Sequence, residues 1–93
     1  MNPKLDQISK KLDIPSDELI NRSLLAFLEH ELRLAEEDIA DTRDKYFVTS
    51  RADLENKIKS KEISSHPAWE DLISWENTEK YTDKLKNELQ GLK

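Results

Sequence analysis

Residues 17–46 contain neither proline nor glycine, and within them Leu25, Leu28, Leu32, Ala35, Ile39, Thr42 and Tyr46 recur in alternating steps of three and four. That spacing is a heptad seam, one apolar stripe along an α-helix. A helix of about 30 residues is ~45 Å long. A short neighbour does not cover such a rod, so a second long helix or another chain must lie along it. Leu19, Ile20, Leu24 and Phe27 add a second apolar edge in the N-terminal half. The segment also holds nine acids against Arg22, Arg33, Arg43 and Lys45, and so carries the whole net charge of −5.

Punctuation residues divide the rest. Leu5, Ile8 and Leu12 share one face of a short helix over residues 4–13, which Pro15 ends by biasing Ile14 out of the helical region. Ser16 is placed to cap the long helix, with Asp17 and Glu18 in its first turn. Phe47-Val48-Thr49 breaks the periodicity, and Tyr46 and Phe47 read as plugs of the core. Ser50 and Asp53 have the form of a capping box for a third helix over residues 51–60, which carries Leu54 and Ile58 and ends in Lys57, Lys59 and Lys61. Pro67 suits the first turn of a fourth helix over residues 67–89. Ala68, Leu72, Trp75, Thr82, Leu85, Leu89 and Leu92 mark one face of it, with Trp69 and Ile73 at the edge. Residues 76–80 are polar on nearly every side and need i,i+4 pairs such as Glu76–Lys80; fraying is expected beyond Leu89.

A chain of 93 residues supports one domain with a thin core. Apolar residues make up 35%, below the ~45–50% of ordinary globular chains, which suits long surface-rich helices. The sequence therefore predicts an all-α protein. Its architecture is an antiparallel hairpin of two long helices with a short N-terminal helix and a short connecting helix, dimerised into a helical bundle. The self-association interface is expected at Leu25, Leu28, Leu32 and Ile39.

Several chemistries are ruled out by composition. No cysteine means no disulfide, thiolate metal site or cysteine nucleophile, and the single glycine, Gly91, leaves no phosphate-cradling loop. No apolar stretch is long enough to span a membrane, and no secretory leader is visible, so a cytoplasmic location is expected. His30 and His66 are not at helical metal-ligand spacing. His30 reads as solvated and His66 as a helix-start residue; no metal, cofactor or catalytic residue is predicted, and an enzyme is not expected.

Two features suit protein recognition. The acidic run Glu36, Glu37, Asp38, Asp41 and Asp44 suits a basic partner, although a solvated helix face has the same composition. Trp75 is expected in the hairpin core. Trp69 is the better partner anchor, since Trp is enriched at binding hot spots, with packing on the third helix the alternative. Trp69, Glu36, Glu37 and Asp41 are thus the partner-binding candidates. Nucleic-acid binding through Lys4, Lys10, Lys11 and Lys57/Lys59/Lys61 is disfavoured by the net charge of −5.

The segment KLDQISKKLDIPSDELINRSLLAFLEHEL, residues 4–32, resembles the helix pair of ribbon-helix-helix proteins. Three residues precede it, too few for that family's DNA-reading strand, so the resemblance implies the dimerising half alone. From Glu18 through KYFVTSRADLENKI to HPAWEDLISWE, the chain is similar to small all-helical, mainly prokaryotic proteins, several of them antitoxin-like. That resemblance implies a partner that binds and neutralises a small basic toxin. A self-associating scaffold is the alternative, and a DNA-binding regulator a more distant one.

Overall fold

The computed structural model describes residues 2–92. Four helices follow one another: α1 (Pro3–Leu12), α2 (Ser16–Tyr46), α3 (Arg51–Lys59) and α4 (Ser65–Leu92). There is no strand among the described residues, and the protein is all-α.

Each terminus has a local cause. Asn2 caps α1, its Oδ1 accepting from Lys4 N at 3.0 Å, with Pro3 in the first turn. The helix closes through Asp13 in the left-handed region (φ 58°), with Ile14 N donating to Ser9 O at 3.0 Å. Ser16 does not cap α2. Pro15 occupies the cap position, and Ser16 Oγ lies 3.4 Å from Ser9 Oγ, tying α1 to the start of α2. Ser50 caps α3 by accepting from Asp53 N at 3.1 Å, while Asp53 Oδ2 accepts from Thr49 N at 3.3 Å rather than from Ser50 N. In α4, His66 is extended (φ −119°, ψ 123°), so regular helix begins at Pro67; it continues to Leu92, beyond the expected fraying point at Leu89. Leu89 is buried and anchors that last stretch.

α2 and α4 run antiparallel. Two pairs fix the register: Tyr46 with Asp71 near one end, and Tyr81 with Glu31 at 2.8 Å further along. The core lies at the closed end, where Val48, Leu54, Ile58, Ala68, Leu72 and Trp75 pack together with Ile39, Tyr46 and Ile63 against them. Beyond it the hairpin is a two-helix seam, in which Ala35, Thr82, Leu85 and Leu89 are buried. The face of α4 expected from spacing is the buried one, except that Leu92 stays 40% exposed.

Phe47 corrects an expectation. It is 88% exposed and does not plug the core. It occupies the C-terminal cap of α2 in the left-handed conformation (φ 54°), which swings its side chain outward, and Val48 fills the core in its place.

α1 contributes little to the core. None of its residues is buried, and Ile8 and Leu12 are 47% and 59% exposed. The molecule measures 60 × 21 × 20 Å with a radius of gyration of 19.3 Å, against about 12 Å for a compact chain of this length.

Candidate interaction surface

The hairpin's base is clasped by one carboxylate. Asp71 on α4 accepts from both Lys45 Nζ, at 2.9 Å, and the Tyr46 hydroxyl. Lys45 also sits 5.3 Å from the centre of the Tyr46 ring. The Tyr46 hydroxyl, and then Lys45, hold the Asp71 carboxyl below its usual range. Burial, followed by the bond to Asp71, raises the Tyr46 phenol. The bond to Asp71 likewise raises Lys45. This group joins the two long helices.

Arg51, at the start of α3, explains the polar middle of α4. Its guanidinium reaches Glu79 at 3.4 Å and Glu76 at 3.9 Å, and Glu76 also pairs with Lys80 at 3.7 Å. Two acids of that polar middle therefore face the start of α3, which is packed into the core through Leu54 and Ile58. The sequence offers no short-range signal for this, because Arg51 lies about 25 residues from its partners.

The four residues expected to self-associate, Leu25, Leu28, Leu32 and Ile39, are half-buried. Ile39 packs against the core cluster within the chain. The apolar surface left open on α2 is the adjacent edge: Ile20, Leu24, Phe27 and Leu34 are 40%, 47%, 58% and 43% exposed. Leu34 is missing from the edge read in the sequence, although it follows Phe27 at one heptad. On the same flank Tyr81, half-exposed, donates to Glu31, and that carboxylate raises the phenol's pKa.

Of the partner-binding candidates, Glu36, Glu37 and Asp41 are exposed, as are Asp38 and Asp44. None of the five makes an ion pair within 4.0 Å among the described residues. Glu37, Asp41 and Asp44 stand at i, i+4 and i+7, on one face of a rigid rod. Trp69 is 45% exposed and Ile73 46%, whereas Trp75 is buried at 3% and its indole N–H has no hydrogen-bond partner among the described residues.

The remaining candidates stay apart. His30 Nδ1 lies 3.0 Å from Arg33, and His66 pairs with Glu70 at 3.3 Å. Lys57 donates to Phe47 O at 3.2 Å and Lys59 pairs with Glu55 at 3.2 Å, so two lysines of the basic cluster are engaged locally. Among the described residues no group of three His, Cys, Asp or Glu side chains is placed to hold a metal ion, and no described helix is long and apolar enough to cross a membrane.

These features define an all-α helical-hairpin protein whose distinctive surfaces are an acidic ridge and an apolar strip on one long helix. The chain matches, over residues 1–93, the family model described as Uncharacterized protein MJ0235 family, and it belongs to that family. No curated protein and no solved structure matches it.

Proposed function

We propose that this protein is a non-enzymatic interaction module that binds a small basic protein, in the manner of an antitoxin covering its toxin. The observation that carries the reading is the acidic ridge of α2: five exposed carboxylates between Glu36 and Asp44, none of them in an ion pair within 4.0 Å among the described residues. Ordering a rigid helix in advance lowers the entropic cost of docking. A row of like charges also steers a basic partner and raises its association rate. Trp69 and Ile73 supply an apolar contact on α4.

The test is capture of the product of the adjacent open reading frame by the tagged protein, together with relief of any growth arrest that product causes. Wild type is expected to recover it. Glu37→Lys/Asp41→Lys/Asp44→Lys is expected to weaken capture at least about tenfold, the scale on which charge reversal across an interface acts. Absence of both capture and relief with the wild type overturns the reading.

The apolar strip favours a second reading, a self-associating scaffold with no toxin. A stable oligomer of this chain that ignores every basic protein offered supports it over the first.

A further inference from the structure

We propose that the strip Ile20, Leu24, Phe27 and Leu34 is covered by a second copy of this chain, its α2 antiparallel to the first about a two-fold axis at Phe27. The inference needs no basic partner, since the strip lies N-terminal to the acidic ridge along α2.

Spacing points to this occupant. Ile20 and Leu34 each stand seven residues from Phe27. Seven residues return a helix to nearly the same face, so the three form one line. Such a line is self-complementary when reversed: Phe27 meets its own counterpart, and Ile20 meets Leu34 of the mate. A two-fold interface requires this reciprocity of the patch it joins.

Surface area points the same way. The chain exposes 7080 Å², whereas a compact monomer of its mass exposes about 5,600 Å². The difference exceeds the roughly 800 Å² that each partner contributes to a standard interface. Two hairpins joined along α2 form a four-helix arrangement, the usual way for long amphipathic helices to bury a second edge.

Charge chooses the direction. Asp38 takes the step after Leu34, and Glu37 and Asp41 flank it, so the strip ends in carboxylates. Parallel pairing sets both acidic ridges side by side, a costly arrangement of like charges. Antiparallel pairing sends them to opposite ends. Within the strip the one acid in line is Glu31, already bonded to Tyr81.

The chain has no cysteine, which permits a direct test. By light scattering the wild type is expected at twice the chain mass of 10.9 kDa, and Phe27→Glu at the chain mass with unchanged helical circular dichroism. Under mild oxidation, Phe27→Cys is expected to form a covalent dimer. Ile20→Cys and Leu34→Cys are expected to cross-link when mixed, but not separately. A monomeric wild type, or a dimer indifferent to Phe27→Glu that Phe27→Cys does not cross-link, overturns the proposal. Separate cross-linking of Ile20→Cys and of Leu34→Cys, with none between them, shows parallel pairing and overturns it too. All of these measurements use this chain alone, so their failure is distinct from failure to capture a basic protein.

Discussion

The Tyr46 hydroxyl donates to the Asp71 carboxylate, joining the last turn of α2 to the early part of α4, and Lys45 adds a second donor to the same oxygen. The pair closes the hairpin beside the core cluster, against which Tyr46 packs, so its loss loosens that cluster.

Tyr46→Phe removes one hydrogen bond to a charged acceptor and leaves the ring in place. The expected loss is about 1 kcal/mol, read as a fall of ~4–8 °C in melting temperature. An unchanged melting temperature shows that the bond contributes nothing to stability.

The same clasp sets a pH window. Asp71 is held below its ordinary value of 3.8, so its contribution is present above that pH and is lost as pH falls through the folded-state value. Tyr46 is raised above 10.0, so its contribution is present below that pH and is lost as pH rises through the folded-state value. Urea midpoints are expected to fall on both sides of a neutral plateau. Asp71→Asn is expected to flatten the acid limb; a wild-type and variant pair falling in parallel there counts against the assignment.

Trp75 fills the core, and its indole N–H has no hydrogen-bond partner among the described residues. Trp75→Ala is expected to cost about 3–5 kcal/mol through lost burial and a cavity. Trp75→Phe removes the unpaired donor while keeping most of the ring, and is expected within about 1 kcal/mol of wild type. Denaturant unfolding measures both; equal losses for the two variants contradict the role given to the ring.

Phe47 holds a left-handed conformation that favours glycine, and its exposed ring gains little by it. Phe47→Gly is expected to stabilise the chain by up to about 1 kcal/mol, the steric cost of that conformation for a residue with a Cβ. A lower melting temperature for the glycine variant indicates that the aromatic side chain is held by contacts absent from the single chain.

Local and periodic features were legible in the residues themselves. The two long helices follow from the absence of breakers between Asp17 and Tyr46 and between Pro67 and Gly91, together with the three–four spacing of their apolar residues. Ser50 and Asp53 announce α3 because a cap acts within one turn. The buried face of α4 from Ala68 to Leu89 was likewise readable from helical geometry.

Relations across the chain were decided only by the tertiary structure. The sequence offers two apolar edges on α2, the heptad seam and its neighbour, and does not say which of them α4 covers. That choice left Ile20, Leu24, Phe27 and Leu34 open while Leu25, Leu28 and Leu32 became half-buried. Phe47 and Val48 are both apolar and adjacent, and one backbone residue in the left-handed region determined which of them reached the core. Arg51 and Asp71 acquired their roles because they lie far in sequence from the residues they bind. Periodicity fixes which side chains share a face; only packing fixes what that face meets.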